Sequence, residues 1–96
     1  MSPTNKKKLN QIRIKLDMLD NDLLKLIKKR SSLVKEVLKI KIYKKEIIDQ
    51  KRINFILKKI KKKSIQMNID PKISNRIWKN MIWSFIDYEK RNFRKK

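Results

Sequence analysis

The sequence predicts an all-α protein of three helices, the first of them very long. Apolar residues between positions 9 and 41 recur at alternating steps of three and four, as on a helix that buries a narrow seam. Neither proline nor glycine interrupts this pattern. No segment alternates between apolar and polar residues over a useful length, which argues against strands.

The first helix is predicted to begin after Thr4 or Asn5, either of which can cap it, and to run to about Lys41. At this length it spans roughly 50 Å. Arg30 fills the one gap in its apolar pattern, where a cation is costly unless a negative group meets it. Arg30 is therefore interpreted as half of an anion-binding site. The apolar positions, called the first-helix seam below, are Leu9, Ile12, Leu16, Leu19, Leu23, Leu26, Leu33, Val37 and Ile40.

Two shorter helices follow a connection over residues 42–48. Asp49 is the predicted N-cap of the second helix, which fades in the lysine run at 61–63 and near Asn68. Asp70 begins the third, because Pro71 after it suits the first helical position. The predicted apolar face of the second helix comprises Phe55, Ile56 and Ile60. That of the third comprises Ile73, Ile77, Met81 and Phe85, with Trp78, Ile82 and Ile86 beside it.

Size and composition predict a single domain over 1–96, with flexible basic ends at 1–8 and 92–96. The chain has no cysteine and no histidine, which removes disulfides, thiolate metal sites and the usual acid–base side chain. No cofactor or metal is therefore expected. The start lacks the apolar region of a secretory signal, and no apolar run suits a membrane span, so a cytoplasmic protein without membrane partners is predicted.

The formal net charge of +20 calls for an anionic partner of some kind. The lysine runs are interpreted mainly as solvated faces and ends, with nonspecific attraction to phosphate polymers as the other reading. A basic helical nucleic-acid-binding protein is the alternative from another functional class. It is disfavoured because no recognisable nucleic-acid-binding motif is present and because it leaves Arg30 unexplained, so no specific nucleic-acid partner is expected.

The length of the first helix also predicts that the chain forms a dimer. The two shorter helices cannot cover the first-helix seam, so a second copy of the long helix is expected to pack antiparallel against it in a twofold dimer. Arg13 and Arg30 lie 17 residues apart on one helix, about 25 Å, too far to hold one small ligand. Across an antiparallel dimer the two arginines can share a ligand.

Further charged residues complete a predicted constellation. Arg30 and Lys41 are eleven residues apart, close to three turns, and so lie on one helix face. Arg52 falls in the first turn of the second helix, where backbone amides also favour anions. Glu89 lies close in angle to the apolar face of the third helix. An arginine fork suits a carboxylate, whereas a lysine suits a single oxygen.

The ordered set of these residues resembles a known family. The segments 12–20, 23–30 and 34–41, read with the D-x-x-R of Asp49 to Arg52, are similar to the all-helical (AroQ-type) chorismate mutases. The resemblance extends from about Leu9 to Glu89 and is strongest in the first helix. It implies an intertwined antiparallel homodimer with two equivalent sites, which converts chorismate to prephenate in phenylalanine and tyrosine biosynthesis.

The resemblance also implies residue roles. Arg30 and the partner's Arg13 would bind the two substrate carboxylates, and Lys41 would donate to the ether oxygen of the enolpyruvyl group. Glu89 stands where the family has glutamine, or in some members glutamate, as a second donor to that oxygen. Because an ionised carboxylate only accepts hydrogen bonds, Glu89 must carry a proton to help.

Four further positions are implied to contact the substrate. Arg52 would line the pocket, and Asp49 would act near the ring hydroxyl through its backbone or by ordering the loop. Ile53 stands where many mutases have a glutamate, and Phe85 replaces a small polar residue, so the pocket is expected to be more apolar. The isochorismate-pyruvate lyases, a sister branch of this fold, also lack the acid at the position of Ile53, which leaves that activity as an alternative.

Overall fold

The computed structural model describes residues 2–94. Helix α1 spans Pro3–Ile40, a short 3₁₀ turn spans Lys44–Glu46, helix α2 spans Gln50–Gln66 and helix α3 spans Pro71–Asn92. Over these described residues there is no strand, which confirms the all-α prediction and the very long first helix. None of the helices in this part of the chain combines the length and the apolarity that crossing a membrane requires.

Helix α1 starts earlier than predicted. The hydroxyl Oγ of Ser2 accepts a hydrogen bond from the backbone N–H of Asn5 at 3.2 Å, so Ser2 and not Thr4 or Asn5 provides the cap. Residues 3–8, predicted to be flexible, are helical, and α3 continues to Asn92. The remaining parts of the predicted flexible ends, at Met1 and at 95–96, lie outside the described residues.

The predicted starts of the two shorter helices are confirmed. A carboxylate oxygen of Asp49 accepts from the backbone N–H of Arg52 at 3.0 Å, and one of Asp70 accepts from that of Lys72 at 2.9 Å. Helix α2 ends at Gln66, two residues before Asn68. Asn68 has a φ of 58°, in the left-handed region that asparagine tolerates, and this reverses the chain between α2 and α3.

Helices α2 and α3 pack around a small apolar core. Its buried members are Ile47, Ile53, Ile82 and Ile86, with Ile56, Leu57 and Phe93 packed against them. A buried hydrogen bond of 2.6 Å between the hydroxyls of Ser64 and Ser74 joins the two helices, where these small side chains permit close approach. The prediction that Phe55 belongs to the apolar face of α2 is wrong, because Phe55 is exposed and lies on the side of the helix opposite the buried Ile53. Ile73 and Ile77, which were predicted for the apolar face of α3, are exposed as well.

The chain divides into two compact units, one up to Leu33 and one from Val34 onward. The first unit consists of α1 residues, and α1 buries none of its side chains. From Ile12 to Ile40 the side chains of the first-helix seam are between 47% and 77% exposed. An apolar stripe of this length is far more than isolated soluble proteins usually expose. The organisation of 1–96 as a single domain stays a prediction.

Candidate active site

Lys41 and Glu89 form a shielded ion pair. The ammonium Nζ of Lys41 lies 2.9 Å from Oε1 and 3.2 Å from Oε2 of Glu89, so both oxygens accept hydrogen bonds from it. Only 5% of Glu89 is exposed, and the Lys41 side chain is also largely covered. The sequence predicts that Lys41 and Glu89 belong to one site, although they are 48 positions apart in the chain. In the structure their side chains are in contact and shielded from solvent.

Local structure explains why both side chains reach this place. Lys41 directly follows the last residue of α1, and its backbone N–H still donates to the carbonyl oxygen of Val37 at 3.2 Å. Glu89 follows Ile82 and Ile86 at steps of four and three, so the core face of α3 carries it inward. Burial of this carboxylate is tolerable because the ammonium compensates its charge.

A shallow cavity of about 470 Å³ opens beside Lys41. Asp49, at the N-terminus of α2, also lines it, so two residues predicted to contact a substrate border one space. Backbone N–H groups at a helix N-terminus add a favourable field for an anion. The other lining residues are Glu46, Ile48, Gln50 and Lys51.

The other residues of α2 and α3 that are predicted to contact the substrate differ in how exposed their side chains are. Arg52 is exposed in the first turn of α2, with its guanidinium carbon 5.4 Å from the centre of the Phe55 ring. Ile53 is only 6% exposed and belongs to the core. Phe85 is half-buried on α3. The roles of these three residues toward a substrate stay predictions.

Arg13 and Arg30 both lie in the unit that ends at Leu33. Arg13 is exposed and Arg30 is half-buried. Since α1 is continuous between them, they are about 25 Å apart along the axis and cannot hold one small ligand within a single chain. Their predicted roles as carboxylate clamps stay predictions.

Two features of this region were not anticipated from the sequence. Lys41 and Glu89 were assigned as separate donors, whereas the structure pairs them directly. The lining of the cavity by Glu46, Gln50 and Lys51 was also missed. The sequence contains a weak signal for a turn at Glu46, because an acid three positions after Tyr43 can cap a turn. In the structure Oε1 of Glu46 accepts a hydrogen bond from the backbone N–H of Tyr43 at 3.3 Å.

Comparison with known proteins defines the class. Residues 12–90 match the family model described as chorismate mutase type II. A chorismate mutase of Methanocaldococcus jannaschii is 40% identical over 76 residues, which cover 78% of this chain and 77% of that protein. No solved structure matches the chain significantly.

The family match and this relative identify the chain as an isomerase of the chorismate mutase kind. The chain belongs to the chorismate mutase type II family. This membership confirms the family and the enzyme class that the resemblance in the sequence indicates.

Proposed function

We propose that this chain converts chorismate to prephenate, in phenylalanine and tyrosine biosynthesis, as a homodimer with two composite sites. Each site would use Arg30, Lys41, Arg52 and Glu89 of one chain together with the partner's Arg13. The observation that carries the proposal is the shielded pairing of Lys41 with Glu89 beside a cavity that Asp49 also lines. The cytoplasmic location expected from the sequence stays a prediction.

The reaction suits a chain that has neither histidine nor cysteine. Chorismate rearranges in one unimolecular step: the ether C–O bond breaks while a new C–C bond forms, and no group leaves. Such a rearrangement needs no nucleophile, metal or redox cofactor. A millionfold acceleration corresponds to about 8 kcal/mol, which positioning and electrostatic stabilisation must supply together.

Each charged residue has a physical task in this scheme. Arg30 and the partner's Arg13 would hold the two substrate carboxylates through paired hydrogen bonds, which selects the folded, reactive conformer. The Lys41 ammonium would donate to the ether oxygen, where negative charge grows as the C–O bond breaks. Arg52 would keep the substrate compact from the N-terminal turn of α2.

Dimer formation is supported by the surface of α1. The first-helix seam is exposed along its length, and only four isoleucines make the buried apolar core of the described residues. An antiparallel copy of α1 would cover the seam and bring the partner's Arg13 toward Arg30. Because the interface is isologous, the same contact would occur twice and create two equivalent sites.

The replacement of Glu89 by glutamine tests the second donor to the ether oxygen. In the structure both oxygens of Glu89 accept hydrogen bonds from Lys41. A carboxylate that only accepts hydrogen bonds opposes the negative charge that grows on the ether oxygen, whereas the amide N–H of glutamine can donate to that oxygen. We expect Glu89→Gln to raise kcat/KM for chorismate severalfold, as measured by steady-state kinetics at pH 7.5.

A matched control is available on the same helix. Asp87→Asn makes the same acid-to-amide change at an exposed residue, whose carboxylate pairs with Arg91 at 2.8 Å. It should leave kcat/KM within about twofold of the parent. If Glu89→Gln is folded but its kcat/KM is unchanged or lower than that of the parent, the proposed role of position 89 as a donor to the ether oxygen is wrong.

One observation favours a second activity. Position 53 is an isoleucine, so no acid stands there to receive a ring hydroxyl. This is the position at which the isochorismate-pyruvate lyases also lack an acid. Incubation of the purified protein with chorismate or isochorismate, with product identification, separates the two: prephenate supports the mutase, and pyruvate released only from isochorismate supports the lyase. Turnover of neither substrate would contradict both assignments.

A further inference from the structure

The outward face of α2 carries a row of cations to which the proposed reaction assigns no role, although the first of them, Lys51, also lines the cavity beside Lys41. Lys51, Phe55, Lys58 and Lys62 follow one another at steps of four, three and four, so they share one helix face. All four are exposed. The buried residues of α2, Ile53 and Ser64, lie on the opposite side. We call this set the α2 basic stripe.

The charge of the stripe is not neutralised within α2. Helix α2 contains no aspartate or glutamate. Neither the ion pair of Lys41 with Glu89 nor that of Arg91 with Asp87 involves an α2 lysine. Asp49 lies at the N-cap, where its side chain accepts from the backbone of Arg52. A helix with this charge excess attracts a polyanion over a distance of about 10 Å at ordinary ionic strength.

Phe55 gives the stripe a feature that a solvated lysine face lacks. Its ring is 54% exposed and is approached by two cations, the Arg52 guanidinium at 5.4 Å and the Lys59 ammonium at 5.8 Å from its centre. An exposed aromatic ring flanked by cations is the arrangement on which single-stranded nucleic acids stack a base while their phosphates are neutralised.

A membrane surface fits the stripe less well. A helix that lies on a bilayer inserts a continuous apolar face between the headgroups. The apolar face of α2, including Ile53, Ile56 and Leu57, is instead engaged in the core with α3. A duplex also fits less well, because its paired bases are not available to stack on Phe55.

We propose that the α2 basic stripe binds single-stranded nucleic acid without sequence preference, in addition to the enzymatic function. Lys51, Lys58 and Lys62 contact phosphates, and Phe55 stacks on a base. Lys51 and Lys62 are about 16 Å apart along the helix axis, a length that spans a few nucleotides. The interaction is nonspecific, which agrees with the absence of a recognisable sequence-reading motif.

The first test measures the binding of fluorescein-labelled U20 RNA to the full chain by fluorescence anisotropy between 50 and 300 mM salt. Lys58→Gln/Lys62→Gln should weaken binding and reduce the slope of log K against log salt by about 1.4, since each phosphate contact to a single strand contributes about 0.7. The control Lys72→Gln/Lys79→Gln removes the same charge from exposed positions of α3 and should change the slope little. Equal losses in both variants would mean that only net charge matters and would overturn the proposal.

A second test isolates stacking. Phe55→Leu keeps an apolar side chain at this exposed position and should weaken U20 binding about fivefold or more, while leaving binding to a 20-base-pair duplex unchanged. An equal effect on both nucleic acids, or on neither, would contradict a stacking platform. Binding of phosphatidylserine vesicles that is lost in Lys58→Gln/Lys62→Gln, with no binding of U20, would assign the stripe to a membrane surface instead.

Discussion

Replacing Arg30 by alanine should lower kcat/KM for chorismate at least about thirtyfold. Arg30 is the cation that interrupts the first-helix seam, and its proposed partner is a substrate carboxylate held by two hydrogen bonds. Removal of one member of a shielded charge pair costs about 2–5 kcal/mol, because the other charge then lacks compensation. Steady-state kinetics with chorismate, together with circular dichroism to verify the helical content, measures this loss.

Arg76→Ala is the matched control for that experiment. Arg76 is an exposed arginine of α3 that lies outside the proposed site, so the same truncation there should leave kcat/KM within about twofold of the parent. If Arg30→Ala and Arg76→Ala retain comparable activity while both remain folded, Arg30 does not bind the substrate. A structural role for Arg30 would then account for its position in the seam.

Replacing Leu23 by lysine should convert the dimer to a monomer and reduce activity at least a hundredfold. Leu23 lies near the middle of the predicted antiparallel contact, where the twofold axis would bring it close to its own copy. Its side chain is 54% exposed in the single chain, so a lysine there does not disturb the core of that chain. Only a dimer would bury two unpaired ammonium groups, at a cost of several kcal/mol. Analytical ultracentrifugation and chorismate turnover measure both effects.

Asn21→Lys provides the control for Leu23→Lys. It adds the same charge two residues earlier, at an exposed position on the opposite side of the helix. This variant should remain dimeric and active. A parent protein that is already monomeric and active, or a Leu23→Lys variant with parental mass and activity, would contradict the proposed assembly.

Much of the fold could be predicted because its signals are local. The 3.6-residue periodicity of α1 and the capping carboxylates Asp49 and Asp70 act within a turn or two, and the structure confirms them. The cap of α1 was misassigned because Ser2, Thr4 and Asn5 are all competent caps, and propensity alone does not rank them. Phe55 was misassigned because hydrophobicity was weighed above its angle on the helix, which places it opposite Ile53.

The candidate site could be predicted only in part. The spacing of Arg30, Lys41 and Arg52, read with a family resemblance, predicts that these charged residues contact the substrate, and this stays a prediction. The contact between Lys41 and Glu89 could not be derived from spacing, because it depends on how the end of α1 and the end of α3 approach one another. Contacts between residues 48 positions apart are set by tertiary packing, which no local pattern encodes.

The measurement that tests the composite site most directly is the activity of mixed dimers. Arg13→Ala and Arg30→Ala should each be nearly inactive alone. After the two variants are unfolded together and refolded at equal amounts, about half of the dimers contain one chain of each kind. Each mixed dimer has one site with both mutations and one intact site, so the mixture should regain about a quarter of the parental activity. No regain, with mixed dimers verified by mass spectrometry, would contradict the contribution of Arg13 to the partner's site.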